Sequence, residues 1–136
     1  MIPVESPQEI EQAQRAASEE FAQRMLAHEA RRNAVREPGI AALKRLLPIA
    51  RRDTGQSRVV GRFLLSLYNG RAFPFDLTDL RVVDDEIHDD CLAVLRLDAS
   101  PEKEVHHYFV NGDRIWDELK LQWTTERDLR AWGQPS

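Results

Sequence analysis

A single cysteine, Cys91, stands in a chain of 136 residues. An internal disulfide is therefore excluded, and so is a cysteine-based zinc site. No uninterrupted apolar run approaches the roughly 20 residues that a helix needs to span a bilayer, so the reading is of a protein without membrane spans. The N-terminus, MIPVESPQEIEQAQ, lacks a basic start followed by an apolar run and does not read as a signal peptide. These absences make the cytoplasm the expected location. A glycine-rich phosphate loop, a serine elbow and a dinucleotide fingerprint are missing too, which removes the common signatures of nucleotide-binding and hydrolytic enzymes.

What is present describes one globular unit: 42% of the residues are apolar and 31% charged. A chain of this size buries roughly two-thirds of its surface and builds a core without disulfide or metal. The net charge of −4 conceals strong segregation. Residues 31–71 carry 10 Lys/Arg against 2 Asp/Glu, a net of +8, and residues 72–113 carry 3 against 11, a net of −8. Either the two segments lie side by side and neutralise each other, or one of them is a binding surface.

From Gln8 to Arg36 there is neither proline nor glycine, and Ala, Glu, Gln and Arg dominate, which predicts one long helix. Ser6-Pro7 fits an N-cap and a first helical position. Its apolar stripe of Ile10, Ala13, Ala17, Phe21 and Met25 is thin, so the helix is expected to pack shallowly, protrude or pair with another chain. Pro38-Gly39 is expected to end it. A broader apolar face follows at Ile40, Leu43, Leu47 and Ala50, with Pro48 expected to kink or split the pattern.

Asp53-Thr54-Gly55 reads as a turn, with Ser57 as N-cap of a third helix carrying Val59, Val60, Phe63, Leu64, Leu67 and Tyr68 up to Asn69-Gly70. Asp76 is placed to cap a short turn with Leu77 and Leu80 inward. A fourth helix is expected from about Asp84, burying Ile87, Cys91, Val94 and Leu95, with its first turn crowded by carboxylates. Ser100-Pro101 is expected to restart a helix through Val105 and Phe109. Ile115, Trp116, Leu119 and Trp123 predict a last helix capped by Asp113, against the alternative of a β-hairpin turning at Asn111-Gly112. Residues after Arg127 read as a frayed tail. The fold expected is all-α, with five or six helices: an N-terminal helix and linker over 1–39, a compact domain over 40–123 and a tail over 124–136.

The segments Asp53-Thr54-Gly55-Gln56-Ser57-Arg58, Phe63-Leu64-Leu65, Phe75-Asp76-Leu77-Thr78-Asp79-Leu80 and Cys91-Leu92-Ala93-Val94-Leu95-Arg96-Leu97 carry a resemblance. Over about residues 43–123 the chain resembles an uncharacterised family of small proteobacterial proteins carried on plasmids and integrative mobile elements. The resemblance transfers no catalytic residue. It implies a context in which accessory proteins serve as regulators, conjugation factors or inhibitors of host defence.

Among chemistry-bearing residues, His88-Asp89 has only His28 upstream, a weak match to histidine-aspartate phosphohydrolases; pairing of His88 with Asp84 on an exposed helix face is the simpler expectation. The adjacent His106 and His107 would point about 100° apart on a helix and make poor partners for one metal ion. Cys91, on an apolar face beside carboxylates, is expected to be inert. No catalytic, cofactor or metal set is assigned, and the expectation is a non-enzymatic protein. The candidate anion- or partner-binding residues are Arg51, Arg52, Gln56, Ser57, Arg58 and Arg62, where guanidinium groups flank a helix start. The candidate acidic face is Asp84, Asp85, Asp89 and Asp90. The expected partner is another protein, in an accessory or inhibitory role that includes action against host defence. A nucleic acid read by the basic segment 44–71 is the alternative, and self-association through the N-terminal helix is a further role open to the chain.

Overall fold

The computed structural model describes residues 6–133. Among the described residues five α-helices follow one another, α1 (Pro7–Ala50), α2 (Gly55–Tyr68), α3 (Asp85–Ala99), α4 (Gly112–Trp123) and α5 (Glu126–Trp132), with 3-10 turns at Leu77–Arg81 and Val105–Tyr108. No strand occurs among the described residues, and the fold is all-α as expected. No helix of the described chain is long and apolar enough to cross a membrane. The chain divides into two units, Met1–Ala34 and Val35–Ser136.

The first unit is helical from Pro7 onward. Its start is a reciprocal cap: the Glu9 amide donates to Ser6 Oγ at 3.2 Å and the Ser6 amide to the Glu9 carboxylate at 3.1 Å. Every residue from Ser6 to Arg31 is exposed, including Phe21, Met25 and Leu26.

In the second unit the sequence expectation needs correction at its first boundary. Pro38-Gly39 does not end a helix, because α1 continues to Ala50. Gly39 is buried, and a Cβ there would lie 2.6 Å from Leu97 Cβ and 3.2 Å from the Ala93 carbonyl. The glycine is a point of close approach to α3, not a stop. Pro38 leaves one carbonyl of the preceding turn without its helical donor, but Pro38 and Ala34 are both exposed, so that carbonyl is not buried unsatisfied. Pro48 likewise sits in the last turn on the exposed side and does not split the helix.

The core is centred on α2, where every residue from Val59 to Leu65 is buried, the mark of a helix enclosed on all sides. Leu43, Leu46, Leu47 and Ala50 of α1, Ile87, Cys91 and Val94 of α3, and Trp116 and Leu119 of α4 belong to the same cluster. The N-cap of α2 is Thr54 rather than Ser57: Thr54 Oγ1 accepts from the Ser57 amide at 3.0 Å, and Ser57 is fully buried in the first turn. Asp84 does precede α3, as read. Leu77, expected inward, is 72% exposed, because the turn it begins is a single 3-10 turn.

Two further expectations fail. The helix read from Ser100-Pro101 is only a 3-10 turn over Val105–Tyr108. Asn111-Gly112 makes no hairpin; it separates the 3-10 turn from α4, and Asn111, at φ 60°, is the N-cap of α4 in place of Asp113. A Cβ on Gly112 would fall 1.7 Å from the His106 carbonyl oxygen, so only glycine allows this turn to close against the preceding one. The supposed tail instead forms α5, opened by a capping box between Thr125 and Asp128, and residues 134–136 of that segment lie outside the described chain.

Phe63 and Trp116 are the core anchors predicted from their periodicity, at 2% and 1% exposure. Replacing either by Ala is expected to cost about 3–5 kcal/mol. Chemical denaturation of the variants measures this, and a loss below about 1 kcal/mol contradicts the assignment.

Candidate functional site

Of the arginines read as candidate anion- or partner-binding residues, Arg51, Arg58 and Arg62 are each drawn to a different carboxylate. Arg51 donates to Glu118 at 2.6 Å, and Arg58 lies 4.0 Å from Asp79. Arg62 is buried and forms a two-pronged pair with Asp128, while it also donates to the Pro74 carbonyl at 3.1 Å and the Trp123 carbonyl at 3.4 Å. Gln56 holds Asp84, accepting from its amide at 2.8 Å and donating to its carboxylate at 3.2 Å. The buried Ser57 faces Thr54 across 2.7 Å. Arg52 is exposed, and its carbonyl accepts from Gln122. The six residues therefore form no single cleft for an anion.

The acidic face is divided in the same way. Asp90 accepts two hydrogen bonds from Arg45, at 3.1 and 2.8 Å, an arginine that the sequence reading did not single out. His88 lies 3.6 Å from Asp89 rather than pairing with Asp84. Asp85 remains exposed near His88 along a cleft with Leu77 and Arg81. A second cleft of about 490 Å³ has walls of both signs, with Arg58 and Arg127 facing Asp76 and Asp79 over the Arg62–Asp128 pair. Walls of both signs do not suit a polyanion.

The histidines also depart from expectation. His106 and His107 do not diverge: their ring centroids are 4.0 Å apart, and Asp113 Oδ1 lies 3.1 Å from His106 Nε2. His106 is buried edge-on to Tyr68 at 5.0 Å, and its Nδ1 has no hydrogen-bond partner among the described residues. A cation on Nε2 would place the ring proton on Nδ1, where no acceptor receives it, whereas ligating histidines normally donate that proton. The trio fits a histidine donating Nε2–H to Asp113 better than a metal centre.

The feature that sequence reasoning missed is an apolar groove between α4 and α5. About 580 Å³ in volume, it is lined by Phe73, Leu121, Leu129 and Trp132, with Asp117, Lys120 and Thr124 at its edges. Leu121 is 88% exposed and Leu129 57%. Its far wall is fixed by the Trp132 indole, which donates to the Ala72 carbonyl at 3.0 Å and meets the Phe73 ring edge-on at 5.3 Å. At the rim, Lys120 Nζ sits 4.4 Å above the Tyr68 ring and bonds the Tyr68 hydroxyl and Asp117. The signal that would have found it was Thr125-x-x-Asp128, a capping-box pattern ahead of Leu129 and Trp132.

A family model matches residues 40–124, well over half of the sequence. The chain belongs to DUF7673, a family of unknown function. The DUF7673 match takes in the core helices α2 to α4 and stops before α5, so the groove has one wall inside the matched stretch and one beyond it. No curated protein and no solved structure matches the chain.

Two outcomes are expected from this chemistry. Burial alone would raise the Asp128 carboxyl, but hydrogen bonds from Arg62 and Thr125 and the Arg62 charge overcome it and hold the group below the usual carboxylate range. A depressed folded-state pKa stabilises above the unfolded value of about 3.9, and that stabilisation is lost as pH falls through the folded value. Asp128→Asn should cost about 3–5 kcal/mol at neutral pH, and its stability gap to the wild type should narrow below about pH 4 in urea titrations. For Cys91, burial, with Asp90 adding to it, pushes the thiol up to about 12. A disulfide reagent at pH 8 is expected to label it only after denaturation, and rapid labelling of the native chain would contradict the burial argument.

Proposed function

We propose that this DUF7673 member is a non-enzymatic protein-binding factor, accessory or inhibitory, that serves a mobile genetic element in the cytoplasm. The carrying observation is the apolar groove of α4 and α5, which presents Leu121 and Leu129 to solvent between charged and hydroxyl-bearing edges. A concave apolar patch with a polar rim has the anatomy of a protein interface. It suits one or two apolar side chains from an amphipathic segment of a partner, with Asp117 and Lys120 at the edge to fix its register. The mobile-element setting rests on the resemblance carried by segments such as Asp53–Arg58 and Cys91–Leu97. A host defence component is the class of partner that this setting suggests. The arginines that would serve a nucleic-acid reader are largely engaged with carboxylates, which favours the protein partner.

The test compares full-length wild type with Leu121→Glu and Leu129→Glu as tagged baits in host lysate, with and without nuclease. Both side chains are exposed, so melting temperatures should be unchanged. The wild type is expected to retain specific proteins after nuclease treatment, and each variant to lose them by tenfold or more, equivalent to about 1.4 kcal/mol. Equal retention by wild type and variants overturns the groove. Recovery of nucleic acid alone, weakening steeply with salt, would instead support reading by the basic segment 44–71.

A further inference from the structure

We propose that the helix of the first unit pairs antiparallel with a second copy of itself, centred on Phe21. This rests on an observation separate from the groove. Ile10, Ala13, Ala17, Phe21 and Met25 make one stripe of a helix whose every described residue up to Arg31 is exposed. Water meets three large apolar side chains along that stripe, and helix pairing is the arrangement that covers such a seam.

The charges say what covers it. Residues 7–20 carry four Asp/Glu and one Arg, and residues 21–34 carry three Arg and one Glu. A parallel pair would set like against like at both ends. An antiparallel pair sets the acidic half of each copy against the basic half of the other. At about 100° per residue, Glu9, Glu20, Arg24 and Arg31 fall on one flank of the stripe. Two-fold pairing brings each flank against its own copy. Glu9 then meets the partner's Arg31, and Glu20 the partner's Arg24. The midpoints of these two pairs fall at positions 20 and 22, one on either side of Phe21.

The same register is supported along the seam. Phe21 meets its own copy at the axis, and Ala17 lies opposite the partner's Met25, a small residue against a large one. Glu20, Arg24 and Arg31 have no hydrogen-bond or ion-pair partner among the described residues, and Glu9 accepts from the Ser6 amide through one carboxylate oxygen, Oε2, so pairing breaks no existing bond. The paired stretch from Glu9 to Arg31 spans about 34 Å at 1.5 Å per residue.

Sedimentation equilibrium of the full chain at low salt, from micromolar to several hundred micromolar, reads the result directly. The expected mass at the upper end is twice the 15.7 kDa of one chain. Arg24→Glu should raise the dissociation constant at least tenfold, and the swapped double variant Glu20→Arg with Arg24→Glu should recover most of the loss. Orientation is read by mixing Ala17→Cys chains with Met25→Cys chains under oxidising conditions, with the buried Cys91 shielded. The mixed disulfide should exceed either like-with-like product. A monomer throughout the range, a dimer indifferent to the charge reversal, or a predominance of like-with-like disulfides would each overturn the proposal.

Discussion

A guanidinium lies in the most enclosed stretch of this protein, and the path of the C-terminal third follows from it. Arg62 sits in the middle of α2 among seven consecutive buried residues, where an unpaired charge would cost several kcal/mol. Its donors are met by the Asp128 carboxylate and the carbonyls of Pro74 and Trp123. Three separate segments are thereby tied to the central helix. Asp128 also accepts from the Thr125 amide at 3.0 Å, so the group that neutralises the core arginine also begins α5. The groove exists because α5 is anchored there.

The tryptophans extend the same economy of donors. Each fills apolar space with its rings and gives its one N–H to a backbone carbonyl: Trp123 to Ala50 at 2.8 Å, Trp116 to Leu64 at 3.3 Å, Trp132 to Ala72 at 3.0 Å. The Ala50 carbonyl is the last of α1 and has no partner within its own helix. Supplying that partner from α4 joins the end of one helix to the end of another. Gln122 does the same for the Arg52 carbonyl, one step further along the turn.

The opposite charges of the two middle segments are partly resolved in the second unit by pairs that cross between them, Arg45 with Asp90, Arg58 with Asp79 and Arg36 with Glu102. These are exposed pairs, each worth about 0–1 kcal/mol, and their weight lies in removing a polyanion surface more than in stability. Two of the arginines turn elsewhere, Arg51 to Glu118 and Arg62 to Asp128. That neutralisation was legible in the charge counts, whereas its pairing was not. The groove left open between α4 and α5 is apolar, and that shifts the functional reading toward protein recognition.

Helix content, the cap at Ser6-Pro7, the stripes of α2, α3 and α4, and the burial of Phe63, Cys91 and Trp116 were determined by the sequence alone. Each is a local matter, set by neighbours within about four residues and by helical periodicity. The errors fell where a residue's meaning depends on distant chain. Gly39 reads as a stop until Leu97 is placed against it, and Asp113 reads as the cap of α4 until the His106 carbonyl closes over Gly112 and Asn111 takes that place. Arg62 reads as one of a group of anion- or partner-binding residues until Asp128, 66 residues away, is brought beneath it. A buried charge chooses its partner by position in space, and tertiary packing decided that choice; with it came α5 and the groove.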